Sequence, residues 1–334
     1  MRPSLPATMT EIHISAPGAA DVLQPRQSPV PVPRPGEVLI HVRAAGVNRP
    51  DVLQREGNYP IPPGANPIPG LEVAGTVAAL GEGVTTHTLG ESVCALTNGG
   101  GYAQYCVAPA GQVLPVPQGV SMQQAAAIPE TFFTVWANLF QLGHARRGDV
   151  ALIHGGTSGI GTTALMLCRE FGIRAFATAG GSEKCEAIRE LGGEPINYRQ
   201  ESFAEVVLAR TERRGADVIL DIMGAPYFAD NLATLARDGR LLLIGFLGGG
   251  VADHVNLHAI MAKRAVVTGS AMRPRTAQEK AAIAASLREH VWPVLAEGRC
   301  LPLVHATYPL ARAADAHRAM EGSQHIGKIV LDVQ

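Results

Sequence analysis

The sequence predicts an α/β protein of two parts, a β-rich domain and a domain built on a doubly wound parallel sheet. Two observations carry that prediction. Between Asp149 and Gly172 an apolar run of strand length, DVALIHGG, leads through a glycine-rich turn into a stretch of helical periodicity. After it, strand-like runs (RAFATAG, DVILDIM, RLLLIGF, RAVVTGS) alternate with helical ones such as SEKCEAIRELG and APYFADNLATLAR. Alternation of this kind forces parallel pairing with helices on both faces.

In chain order, the first eight residues read as a loose extension, and Met9 is an alternative start. Residues 10–130 are rich in Pro and Gly, with short β-like runs (EIHISA, EVLIHVRAAGV, EVAGTVAALG, YAQYCVAP) between turn signals. PVPRPGE and YPIPPGANPIPG are proline-laden connectors that cannot be central strands. A partly open barrel is the expected form. From Ser121, a plausible N-cap, SMQQAAAIPETFFTVWANLFQLG is helical. The end of the chain reads helix, strand, helix, strand, and its strands are expected to return to the first domain.

Composition bounds the function. The chain has 334 residues, 46% hydrophobic and 17% charged, with a net charge of −1. No basic stripe marks it for nucleic acid or for an acidic membrane surface. Five scattered cysteines form neither a disulfide framework nor a zinc knot. No leader or apolar span is evident, so a soluble cytoplasmic protein is expected.

The turn after the first parallel strand is the main chemical signal. Gly155, Gly156, Gly159 and Gly161 interrupt the apolar run, and Ile160, Ala164, Leu167, Cys168 and Phe171 then recur at helical spacing until Gly172. Glycines let a diphosphate approach the backbone, and the helix N-terminus holds its charge. Gly155, Ser158, Gly159, Ile160 and Gly161 are therefore candidate cofactor contacts. Thr157 and Ser158 depart from a strict GxGxxG, and a tight strand–helix connection without a ligand is the alternative.

The type of cofactor is read from the tip of the second strand. NAD-binding units carry an acid there, about 20 residues after the glycines, for the ribose 2′-hydroxyl. Here the tip is Ala179, Gly180, Gly181 and Ser182, followed by Lys184. A 2′-phosphate is compatible with these residues, which favours NADP(H) over NAD(H), with Glu183 turned to solvent. The alternative for Lys184 is an ordinary solvated side chain in the first helical turn. Tyr198 and Arg199 close a third short strand, where Tyr198 can stack or hydrogen-bond near that phosphate. Gly245 and Phe246 end a later strand, where a nicotinamide would lie.

Taken together, AAGVNRPDVLQREGNYPIPPG, IPGLEVAGTVAALGEGV, GGGYAQYCVAP, QAAAIPETFFTVW, LIHGGTSGIGTTA, NYRQESF, DGRLLLIGFLGGG and IGKIVL span nearly the whole chain. In that order they resemble the zinc-free quinone oxidoreductase branch of the medium-chain dehydrogenase/reductase superfamily, which includes zeta-crystallin. The likeness is greatest to the p53-inducible type. It implies a GroES-like catalytic domain (1–130), a Rossmann NADP-binding domain (131–274) and a return to the catalytic domain (275–334). Zinc alcohol dehydrogenases, more distantly similar, place a Cys in the segment GVNRPD and a His–Glu pair in GLEVAG. Here those positions are Asn48 and Leu71, with Glu72 left as one ligand at most, and the eleven histidines show no ligand spacing. Three such ligands are needed, so no metal site is expected. Without a Lewis acid, a quinone or activated enone is an easier hydride acceptor than a ketone, because its developing charge is delocalised.

The resemblance also implies site residues. Asn48 and Tyr59 would face the nicotinamide and substrate, with Thr134 near the nicotinamide ring. Asn48 could instead serve a local turn, Tyr59 cover the core edge, and Thr134 be an ordinary helix residue. Phe246, Leu247, Ser270 and Met272 fall on loops that pass the cofactor in the family. Lys328 either reaches cofactor phosphates, lines the cleft or is a structural surface charge. Ser158 stands where zeta-crystallin-like members commonly have Gly. The expected activity is NADPH-dependent quinone or enone reduction. The alternatives are an enoyl-thioester reductase and a low-turnover NADPH-binding structural or nucleic-acid-binding protein. The apolar strands RLLLIGF and RAVVTGS suggest a homodimer, or a tetramer, through an exposed sheet edge.

Overall fold

The computed structural model of the chain describes residues 5–253 and 255–333. They divide into two compact units, one of residues 5–133 with 273–333 and one within residues 134–272. The class is α/β, as the alternation predicts.

The first unit is organised on the strand Glu37–Val47, whose burial fits EVLIHVRAAGV packed on both sides. It pairs antiparallel with Glu72–Leu80, Tyr105–Pro109 and Lys328–Asp332. Ser92–Leu96, Val113–Pro115 and Val304–Pro309 complete the sheet, so both late strands belong to it. Its core includes Val38, Ile40, Val42, Val73, Val93, Ile329 and Leu331. The proline-rich stretches 30–36 and 59–70 contain no strand. The long central strand delivers Asn48, at its end, to the start of the helix Arg49–Arg55.

The second unit is a six-stranded sheet, all parallel, in the order Glu194–Asn197, Arg174–Ala179, Val150–Ile153, Ala216–Asp221, Leu235–Leu243, Val266–Gly269. Strand order reverses beside Val150–Ile153. Ligands of such sheets bind at the carboxyl ends of strands at that switch, and the glycine turn lies there. The helix Gly159–Phe171 follows, stopped by Gly172 at φ +70°.

The helical stretch from Ser121 differs from a single periodic helix. Ser121 caps Met122–Ala125 with Gln124 closing a capping box. A second helix, Pro129–Val135, then starts on its proline, which has no N–H to lose there. In the second unit, Trp136–Leu142 continues as a π-helix in which Trp136 and Phe140 stack with centroids 4.5 Å apart. Among the described residues no helix is long and apolar enough to cross a membrane.

Candidate functional site

In the first unit a buried polar cluster forms where the central strand ends. Glu72 is fully buried, and Asn48 and Lys328 are nearly so. Glu72 Oε1 accepts from Asn48 Nδ2 at 3.0 Å and lies 2.7 Å from Lys328 Nζ. Glu72 Oε2 accepts from the backbone N–H of Glu130 at 2.9 Å. Lys328 also donates to Asn48 Oδ1 and to the Val47 carbonyl, so its three ammonium hydrogens are all taken. Because an ammonium only donates, the Asn48 oxygen must face Lys328 and its NH2 must face Glu72. One Asn48 amide hydrogen is left over. Gly46 makes the cluster possible, since a Cβ there would lie 2.0 Å from Glu72 Oε1.

This placement corrects the reading of Lys328. It is not a surface charge, and its donors are committed to the first unit rather than free for cofactor phosphates. The reason is electrostatic: a buried carboxylate demands a cation. Asn48 does serve its turn as well, because its backbone N–H donates to Asp51 Oδ2 at 2.9 Å in a capping box. Burial pushes Asp51 up to about 6 against the hydrogen bonds from Gly70 and Asn48 that hold it down.

A second group in the same unit surrounds the candidate Tyr59 with Arg273, Lys280 and Glu130, none of which the sequence singles out. Arg273 is 5% exposed, and its guanidinium carbon sits 5.3 Å from the Tyr59 ring centroid. One Arg273 nitrogen donates to the Asn98 carbonyl at 3.0 Å, while Nε and Nη1 are buried without partners. Lys280, also buried, donates to Asn98 Oδ1 and to the Arg273 carbonyl, and burial brings it down to about 8. Tyr59 is half-buried; burial and the nearby Glu130 push its hydroxyl up to about 12, so it is a donor at neutral pH. Glu130, also half-buried, is pushed up to about 8 by burial and by Glu72.

In the second unit the glycine turn is tightly built. Ser158 Oγ accepts from Gly161 N–H at 3.0 Å and donates to the Gly155 carbonyl at 2.8 Å. A Cβ on Gly161 would meet that carbonyl at 2.3 Å. Gly155 takes φ +69°, and Ser158, Gly159 and Ile160 are half-buried at the helix start. Beneath the turn, His154 is fully buried between Thr178 and Asn231. Asn231 Nδ2 donates to Asp221 Oδ2 at 3.1 Å, which turns its oxygen to His154 Nε2 at 2.7 Å. The ring is therefore the neutral Nε2–H form, in line with burial bringing it down to about 4.

At the next strand tip, Gly180 packs against Tyr198 and Arg199: a Cβ there would be 2.6 Å from the Tyr198 hydroxyl and 3.0 Å from Arg199 Nε. Ser182, Glu183, Tyr198 and Arg199 are exposed and Lys184 is half-buried. Burial, with the Arg199 charge second, lowers Lys184 below the usual lysine range. The charges of Arg199 and Glu183 both act on Lys184 beside this small-residue tip. Elsewhere in the unit, Ser270 Oγ donates to Asn138 Oδ1 at 2.9 Å, and Asn138 Nδ2 donates to the Thr134 carbonyl at 2.8 Å. Asn138 thus joins two candidate residues. Gly245 is half-buried, Phe246 and Leu247 are exposed, and Met272 is buried.

Residues 34–118 match the family model of the alcohol dehydrogenase GroES-like domain, and residues 191–331 that of the zinc-binding dehydrogenase. The chain is 30% identical to the quinone oxidoreductase of Sus scrofa over 327 residues, 97% of each chain. The chain belongs to the quinone oxidoreductases of the medium-chain dehydrogenase/reductase superfamily. It is also 35% identical over 309 residues to the phthioceranic/hydroxyphthioceranic acid synthase of Mycobacterium tuberculosis, covering 90% of this chain and 14% of that one. Among solved structures it is similar to an NAD-dependent alcohol dehydrogenase (TM-score 0.86, 29% identity, 98% and 100% of the two chains). A mycobacterial quinone oxidoreductase, a mycobacterial protein complexed with NADPH (each 0.84, 30%, 97% and 99%) and the CurK enoyl reductase (0.84, 27%, 98% and 100%) are also similar.

The zinc in one of those family names does not fit this member of the quinone oxidoreductases. A cation at Glu72 would meet the Lys328 ammonium, and Asn48 and Leu71 offer an amide and an isobutyl group. Among the described residues no three His, Cys, Asp or Glu side chains are grouped to hold a metal ion.

Proposed function

We propose that this oxidoreductase is an NADPH-dependent, zinc-independent reductase of quinones or activated enones. The observation that supports the reading is the Glu72–Lys328 pair at 2.7 Å, which commits Glu72 to an internal charge rather than to a metal that would polarise a simple carbonyl. The acceptor must then delocalise its own developing charge, as quinones and enones do. NADPH fits the glycine turn and the Lys184–Arg199 tip, and when bound it supplies the hydride.

The chain's own residues bind and orient. The Gly155–Gly161 turn presents backbone N–H groups and the start of a helix to a diphosphate. Lys184, Arg199 and Tyr198 take the 2′-phosphate. Asn48, locked by Lys328 and Glu72, holds one amide hydrogen in a fixed direction for an oxygen acceptor. Tyr59, a donor throughout the neutral range, offers a second. We further propose a homodimer: Val266–Gly269 is the last strand of its sheet, and Val266 is 38% exposed. Light scattering that finds only monomer at micromolar concentration contradicts this.

The likeness to the CurK enoyl reductase favours a second reading, an enoyl-thioester reductase. A panel of ortho-quinone, para-quinone, small enones and enoyl thioesters separates the two. Greater kcat/KM on quinones supports the first; turnover confined to thioesters supports the second.

A further inference from the structure

The reduction of a quinone consumes a proton as well as a hydride, and the roles given to Asn48 and Tyr59 supply hydrogen bonds rather than that proton. Glu130 joins the buried cluster through its backbone, but its carboxyl takes no part in the cluster's bonds. Its backbone N–H is fixed to Glu72 Oε2, but no hydrogen-bond donor or ion-pair partner reaches its carboxyl among the described residues. The charges facing it come from several elements. Glu72 on its strand and Asp51 on the helix Arg49–Arg55 oppose its ionisation. Lys328 and Lys280 favour ionisation, but Lys328 is matched by Glu72 and Lys280 is spent on Asn98 and the Arg273 carbonyl. Tyr59 and Arg273 also sense its charge. Beside them are the two buried Arg273 nitrogens without partners, which call for an oxygen that the protein does not supply.

We propose that Glu130 is the general acid of this enzyme and delivers the proton to the oxygen of the reduced acceptor. The inference rests on the quinone reductase reading above. The acceptor takes up an electron pair and one hydrogen as hydride, NADPH being oxidised, and becomes a hydroquinone monoanion. The Glu130 O–H bond then breaks as a new O–H bond forms on that anion. The Glu130 carboxylate recovers its proton from water. Burial keeps this carboxyl protonated up to about pH 8, which suits an acid working at neutral pH.

The test compares wild type, Glu130→Gln and Glu130→Asp with NADPH and a small ortho-quinone across pH, alongside NADPH binding by fluorescence. Gln keeps the shape and the backbone bond to Glu72 but has no proton to give. We expect kcat to fall about 100-fold in Glu130→Gln, with unchanged NADPH binding, and partial rescue in Glu130→Asp. The wild-type kcat should fall above about pH 8, and that limb should vanish in Glu130→Gln. In infrared titration a protonated-carboxyl band present at pH 7 should be missing from Glu130→Gln. A folded Glu130→Gln enzyme with wild-type kcat and pH profile overturns the role of Glu130 alone. Absence of wild-type quinone turnover overturns the quinone reading, and this proposal with it.

Discussion

Lys328 Nζ lies 2.7 Å from Glu72 Oε1, with 4% and 0% of the two side chains exposed. The pair ties the last strand of the chain to the strand beside the central one, and Asn48 is locked between them. Removing one partner leaves the other charge buried and alone. Lys328→Met should therefore cost about 3–5 kcal/mol in urea unfolding. Lys328→Met combined with Glu72→Gln should recover most of that loss. A single variant as stable as wild type would show that the charge is solvated.

The protonation of Glu130 has a consequence for stability that needs no substrate. Its carboxyl holds a proton to about 8 in the folded protein, against 4.5 when unperturbed. Between those values the folded state binds more protons than the unfolded one, so this group's contribution to stability falls as pH rises. Glu130→Gln lacks the effect. The midpoint of Glu130→Gln relative to wild type should thus climb from pH 5 to about pH 8 in thermal melts. A constant difference would contradict the protonated carboxyl.

At the glycine turn, Ser158→Ala removes an N-cap and should cost about 1 kcal/mol in unfolding free energy. Gly161→Ala places a methyl 2.3 Å from the Gly155 carbonyl, so the turn must shift. Binding titrations should show that Gly161→Ala weakens NADPH and NADH alike, because both carry the diphosphate.

The strand-tip cations predict the opposite selectivity. Lys184→Ala and Arg199→Ala should each raise the KM for NADPH roughly tenfold, since each loses a charged hydrogen bond to the 2′-phosphate. The KM for NADH should stay the same. Equal effects on both cofactors would move the 2′-phosphate elsewhere.

Much of this was legible in the sequence because it is local. The strand Glu37–Val47, the cap at Ser121 and the stop at Gly172 follow from neighbouring residues. The partners of Asn48 are not local: Glu72 and Lys328 come from distant segments, and only the sheet register brings them together. Arg273 and Asn138 were missed for the same reason. Lys280 did leave a trace. It shares the buried stripe of its helix with Ile283, Ala284 and Leu287, and a lysine at such a position signals a buried partner. Glu130 gave no such sign, because a glutamate in the first turn of a helix is ordinary.

The most direct test of the account is NADPH oxidation with a small ortho-quinone after exhaustive metal chelation, run beside NADH. Turnover should be undiminished after chelation, with a clear preference for NADPH. Activity lost on chelation and restored by added zinc would contradict it.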